Sequence, residues 1–203
     1  MRIADGIHSI DGTNAHVYVV ETGSGIIQVD SAMMGQFGRI REFYSSTGLR
    51  PDAIVVTHSH MDHIGGLASV VRSYGSRVYA HPEEIPVIEG RRRMYSRSKL
   101  ISIIGAIARP RPVKGVIDVH TLSMPGIDVI ETPGHTPGSV TLSYTRDGER
   151  YLFVGDAAFE REGRLEVNRR YSLDVGAAER SLRLIMSLSP ALVLPGHGRP
   201  VRI

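Results

Sequence analysis

The sequence predicts an α/β protein with a sheet-based core and helices packed outside it. Short β-branched runs recur along the whole chain. Segments with helical apolar spacing lie between them in both halves, so strands and helices share one framework. A length of 203 residues is enough for a sizeable core in one domain, or in two tightly fused halves.

The elements follow in order. AHVYVV at 15–20 and IIQVD at 26–30 are β-branched, and Gly23 and Gly25 between them predict a hairpin. The spacing predicts a helix over 35–47 that ends near Gly48. PDAIVVTH, 51–58, reads as a buried strand bounded by Pro51. HIGGLASVVRSYG, 63–75, reads as one helix stopped by Gly75, with Asp62 placed to cap it. RVYAH, 77–81, is the next strand. Residues 82–114 break the alternation with Pro82, Pro86, Pro110, Pro112, an Arg triplet and the apolar run LISIIGAIA. They are expected to form a basic, partly helical insert that caps the site or serves as a dimer interface. The chain then becomes strand-rich, with GVIDVH at 115–120, GIDVIET at 126–132, VTLSYT at 140–145 and RYLFVGD at 150–156. DGER, 147–150, suits the hairpin turn between the last two. A helix around 176–188 and the strand ALVLPGH, 191–197, complete the pattern.

Composition narrows the chemistry. There are no cysteines, which excludes disulfides, thiolate ligands and a cysteine nucleophile. Any metal must be held by nitrogen and oxygen. No stretch approaches the roughly 18 uninterrupted apolar residues of a membrane helix, and the N-terminus reads as a mature cytoplasmic start. Lys99 and Lys114 are the only lysines, and Asn and Gln are scarce. A heat-loving source or a GC-rich genome would each produce that bias. The net charge of +3 is clustered at 91–114 and again at Arg161, Arg164, Arg169 and Arg170. Singly these are solvated surface; together they can steer a small anionic substrate. They lack the interleaved aromatics of a nucleic-acid groove.

THSHMDHIGG, 57–66, carries three histidines and an aspartate on one corner. Its partners stand at other strand ends: His135 after DVIETPG, Asp156 after YLFVG and His197 after LVLPG. Five of the nine histidines occupy such places, which is too many for ordinary core histidines. Strand ends on one sheet edge are where sites are built. His58 and His60, two apart in an extended segment, point the same way and can share one ion. Asp62 and His63 suit a neighbouring ion. His135 completes the first set and His197 the second, while the Asp156 carboxylate can bridge both. Such donors suit Zn²⁺ first, with Fe or Mn as alternatives. His8, His16, His81 and His120 fall outside these motifs and are read as structural.

HSHMDH, TPGHTPGS, VGDA and PGH, in that order, resemble the metallo-β-lactamase superfamily. The resemblance runs from the opening hairpin to His197, and the set is far more specific than a lone HxHxDH. It implies a four-layer αββα sandwich with mixed sheets, spanning 1–203 as one domain, with metals at one edge. It implies His58, His60 and His135 at one ion, Asp62, His63 and His197 at the other, and Asp156 bridging. Asp30 matches an Asp that follows an early strand near the site and supports a ligand from behind.

Within that family, the all-His/Asp set resembles glyoxalase II and its relatives. β-Lactamases of the commonest type use a Cys ligand, which this chain lacks, and flavodiiron proteins have an acidic residue where His60 stands. Glyoxalase II carries a helical C-terminal extension for glutathione; with six residues after His197, glutathione thioesters are not the expected substrates. Quorum-quenching lactonases often carry Tyr where Phe159 stands, three residues after the bridging Asp. The expectation is a binuclear metal-dependent hydrolase. A metal-bridging hydroxide would attack an ester, thioester, lactone or phosphoester, with Asp62 also orienting the nucleophile. The alternative is a mononuclear iron oxygenase like the persulfide dioxygenases. Tyr95 and Arg97 in the insert are expected to touch substrate.

Overall fold

The structure, a computed structural model, describes residues 1–97 and 109–203. The expected helical run LISIIGAIA lies outside the described residues. The first half forms a mixed sheet in sequential order: β1 (Arg2–Ala4), β2 (Ile7–Ile10), β3 (Val17–Thr22), β4 (Gly25–Val29), β5 (Ala53–Val55), β6 (Arg77–Ala80) and β7 (Ile117–Asp118). The pairs from β1 to β4 are antiparallel. Those from β4 to β7 are parallel. The second half supplies β8 (Ile127–Glu131), β9 (Val140–Arg146) and β10 (Glu149–Gly155). A small hairpin follows, β11 (Phe159–Arg161) and β12 (Arg164–Glu166), and then β13 (Leu192–Pro195) and β14 (Val201–Arg202). The second sheet runs β14-β13-β10-β9-β8, and only its β10–β13 pair is parallel.

The two sheets face each other. Tyr18, Val20, Ile27 and Val55 from the first meet Leu142, Phe153 and Leu194 from the second in one buried cluster. Their strand neighbours Val17, Val19, Ile54 and Val56 point the other way, because side chains alternate across a strand. Burial on both faces is why these strands read as continuous apolar runs. The outer face of the first sheet is covered by α1 (Phe37–Thr47), the short α2 (Met61–Ile64) and α3 (Leu67–Tyr74), through Ile40, Tyr44, Ile64, Leu67 and Val70. The insert contributes α4 (Ile85–Ile88) to the same face. On the second sheet, α5 (Val175–Ser187) places Ile185 on Leu152, Val154 and Val193. Its N-cap is Asp174, whose side chain accepts from the Ala177 N–H. The layers are helix, sheet, sheet, helix, the αββα order that the motifs imply. Each fully buried Ile, Leu or Phe contributes about 1.5–3 kcal/mol. Among the described residues, no helix is long and apolar enough to cross a membrane.

Several expected elements differ. Residues 63–75 form two helices, not one. At Gly65 a Cβ would lie 2.2 Å from the Met34 nitrogen and 2.6 Å from the Met33 carbonyl carbon, so the loop after β4 is packed directly onto the break. Asp62 does not cap a helix: it lies inside the first turn of α2, whose N-cap is His60. The expected strand 115–120 shrinks to β7 and a 3-10 turn, Val119–Thr121, which Asp118 caps by accepting the His120 N–H. β1, β2, β11, β12 and β14 are too short for their side-chain pattern to announce them.

The TPGH turn between β8 and β9 rests on α5 by backbone contact. Gly134 has φ +130°, its carbonyl accepts from the Asp174 N–H at 3.0 Å, and a Cβ there would lie 2.1 Å from the Ala178 nitrogen. Gly134→Ala is expected to cost about 1–3 kcal/mol, read as a lower urea midpoint. An unchanged midpoint would contradict this packing.

Candidate metal centre

All the donors named from the sequence converge at one edge of the sandwich. The chain leaves β5 in an extended path that carries Thr57, His58 and His60, then turns into α2 with Asp62 and His63. His135 follows β8, Asp156 follows β10 directly and His197 follows β13. In the first group, His60 Nδ1 lies 3.1 Å from His58 Nε2 and 2.8 Å from His135 Nε2. In the second, His197 Nε2 lies 3.2 Å from Asp62 Oδ2, and the donors of Asp62, His63 and His197 all fall within 4.8 Å of one another. Asp156 stands between the groups. Its Oδ2 is 3.4 Å from His135 Nε2, and its Oδ1 is 3.3 Å from His63 Nε2 and 3.7 Å from His197 Nε2. Around a tetrahedral zinc with bonds of about 2.0–2.1 Å, neighbouring ligands stand roughly 3.3 Å apart. The donor spacing matches that figure.

The backs of the rings explain why the inward nitrogens are bare. His60 Nε2 donates to the Tyr95 carbonyl at 3.1 Å, which leaves its Nδ1 as the lone pair facing the group. His63 Nδ1 donates to Asp30 Oδ2 at 2.7 Å. Thr57 Oγ1 donates to the same oxygen at 2.7 Å and therefore accepts from His58 Nδ1 at 3.2 Å. Ligating histidines are typically held from behind in this way. Asp30 also accepts the Thr57 N–H and adopts φ +61° to do so. The buried His63 Nε2 and Asp156 Oδ1 have no hydrogen-bond partner among the described residues. Buried polar atoms are rarely left so, and a cation between them satisfies both. The residues fit a metal.

The electrostatics agree. Burial, with the neighbouring imidazoles, holds His58 well below the usual histidine range. Burial also lowers His60 and pushes His135 down to about 4. Burial opposes the charge on Asp156, yet His63, His58 and His135 beside it hold its carboxyl well below the ordinary range. Burial likewise opposes the Asp62 charge, but the bond from His197 outweighs it and brings the carboxyl to about 2. That same bond raises His197. Burial disfavours a charged His63, but Asp30 and Asp156 overcome it and raise its pKa well above normal. Neutral imidazoles and charged carboxylates are the states that bind metal. His58, His60 and His135 are held neutral and Asp62 and Asp156 ionised, whereas His63 and His197 carry a proton beside those carboxylates that an ion must displace.

A residue the motifs do not reveal ties two donor loops together. Glu84 is fully buried just before α4. Its Oε2 accepts from the N–H of Ser59 at 3.0 Å and from the Ser59 hydroxyl, and its Oε1 accepts from the Gly138 N–H at 3.0 Å. Ser59 lies between His58 and His60, and Gly138 lies just beyond His135. In sequence Glu84 is one acidic residue of the proline-flanked HPEE, with nothing to mark it.

The centre opens into a cavity of about 410 Å³. Met33, Met61, Met94 and Tyr171 give it apolar walls, and Asn168 adds a polar group. None of these was read from the sequence. Tyr95 and Arg97 do line the cavity, and Arg97 donates to the carbonyls of Arg169 and Ser172, both at 3.2 Å. Phe159 is not among the lining residues; it pairs with Glu166 in the β11–β12 hairpin.

Comparison with known proteins agrees with this geometry. The family model described as metallo-beta-lactamase superfamily matches residues 10–197. A probable metallo-hydrolase of Bacillus subtilis, YflN, is 29% identical over 98% of this chain and 86% of its own. An uncharacterized Mycobacterium bovis protein, Mb2612c, is 30% identical over 94% of this chain and 88% of its own. Among solved structures, TTHA1623 in a di-iron-bound form superposes with a TM-score of 0.76 and is 29% identical, over 97% of this chain and 93% of that one.

Two outcomes follow. With metal chelated, folded His135 takes its proton near pH 4, whereas an unfolded histidine takes it at about 6.5. Between these values the unfolded state binds more protons, so stability falls as pH falls. Melts of the chelated protein should show Tm dropping from about pH 6.5 to 4, and a flat or rising Tm would contradict the buried neutral ring. Glu84→Gln places an amide donor against N–H groups that need an acceptor. It should weaken metal retention about 10- to 100-fold in chelator competition, with the circular dichroism of the fold preserved. Unchanged retention would remove Glu84 from this role.

Proposed function

We propose, for a chain that belongs to the metallo-β-lactamase superfamily, a binuclear metallohydrolase acting on an ester, thioester, lactone or phosphoester. The observation that carries this is the pair of donor groups with Asp156 between them. Two groups favour two ions over the single iron of a dioxygenase. His58, His60 and His135 would hold one ion and Asp62, His63 and His197 the other. The di-iron form of TTHA1623 supports a paired centre and keeps iron beside zinc as its occupant. The name of YflN supports hydrolysis.

Such a pair of ions supplies Lewis acidity, yielding nucleophilic hydroxide near neutral pH and polarising the substrate's carbonyl or phosphoryl oxygen. The chain's own groups do the rest. Asp62, kept ionised by His197, is an acceptor at the cavity floor that can orient a water. Asp30 and Thr57 hold the His63 and His58 rings in the tautomers that face inward. Met33, Met61 and Met94 exclude water and suit an apolar acyl or aryl arm.

Plasma mass spectrometry on protein purified without added metal tests this. About two ions per chain are expected, and one iron with little else would favour the dioxygenase. Replacing His58 and His60 together by Ala should abolish hydrolysis across a panel of lactones, thioesters and phosphodiesters; full activity would sink the scheme.

A further inference from the structure

Three side chains meet on the same edge of the sandwich but outside the centre: His81, His120 and Glu131. His81 follows β6, His120 lies in the 3-10 turn after β7, and Glu131 ends β8. β7 and β8 are the terminal strands of their two sheets, so the trio spans the seam between them. From the sequence both histidines read as structural. His81 is far from the other two along the chain, and no spacing rule joins the three.

The geometry is that of ligands. His120 Nε2 lies 3.3 Å from Glu131 Oε1, and His81 Nε2 lies 3.5 Å from the same oxygen. Both exceed the usual N–H···O distance of about 2.9 Å. Both match the roughly 3.3 Å between neighbouring ligands on tetrahedral zinc. The two rings stand at 75° with centroids 5.3 Å apart. Asp118 holds His120 from behind: its Oδ1 accepts from the ring Nδ1 at 2.7 Å and from the His120 N–H at 3.0 Å. That bond assigns the ring proton to Nδ1 and leaves Nε2 a bare donor. In His81, Nδ1 accepts from the Glu83 N–H at 3.1 Å. Coordination through Nε2 shifts the ring proton to Nδ1 and passes that exposed amide to water. The site is reachable, with Glu131 62% and His120 39% exposed.

We propose that His81, His120 and Glu131 form a further metal site, separate from the central one, that takes a divalent transition ion. Two imidazoles and one carboxylate suit zinc, with water as the fourth ligand; calcium or magnesium would demand more oxygens. Asp118 is the positioning residue for His120. The ion ties the terminal strands of the two sheets together. It also touches the turn that carries Glu84, since the His81 carbonyl accepts the Glu84 N–H at 2.8 Å.

The test is a zinc count. Wild-type protein and the variants His120→Ala and Glu131→Gln are equilibrated with free Zn²⁺ and counted by plasma mass spectrometry, with calorimetric titration alongside. The expected result is one more zinc per wild-type chain than in either variant, with the fold of each checked by circular dichroism. The readout is a difference, so it holds whether the central site takes two ions, one or none. Equal counts in wild type and a folded variant overturn the proposal. A wild-type chain that binds no zinc beyond what His58→Ala and Asp62→Ala variants lose overturns it without the surface variants.

Discussion

The Asp156 carboxylate is the constraint around which the rest is arranged. It is a nearly buried charge with imidazoles of His58, His63, His135 and His197 around it. A carboxylate taken out of water is costly unless cations or donors surround it. Here the surrounding groups come from the ends of three different strands, β5, β8 and β13, and the two facing sheets bring those ends together beside the end of β10. The sandwich is thus the means of holding one anion among many lone pairs. A metal is what reconciles them.

Rigidity comes from a layer of partners behind the donors. Asp30 fixes Thr57 and His63, Tyr95 fixes His60, and Glu84 joins the loop of His58 and His60 to the loop of His135. Four of these contacts join segments more than 25 residues apart in the chain. They couple the shape of the centre to the register of both sheets. The left-handed backbone at Asp30 fits this picture, since strain of that kind persists only where surrounding bonds impose it.

Much of this was legible in the sequence. Apolar runs ending in His or Asp beside Gly or Pro gave away the edge where β5, β8, β10 and β13 terminate, because β5, β10 and β13 are buried on both faces and the chemistry sits where the strands stop. What escaped lacks a local signature. Glu84 looks like any surface acid until its depth is known. Methionines 33, 61 and 94 share a wall only through tertiary placement. His81, His120 and Glu131 meet only because the outermost strands of two sheets come together. The broken helix at Gly65 escaped for the same reason: the obstacle is the backbone at 33–34, and helical periodicity does not report it.

The place of β13 in the second sheet has a temporal meaning. β13 pairs with β10 on one side and β14 on the other, and it delivers His197. On the ribosome the chain has made the donors of one group and Asp156 well before it makes this strand. His197 Nε2, the partner that keeps Asp62 ionised, arrives last. The two groups are therefore finished at different moments of synthesis: all donors of the first are made before His197, which closes the second.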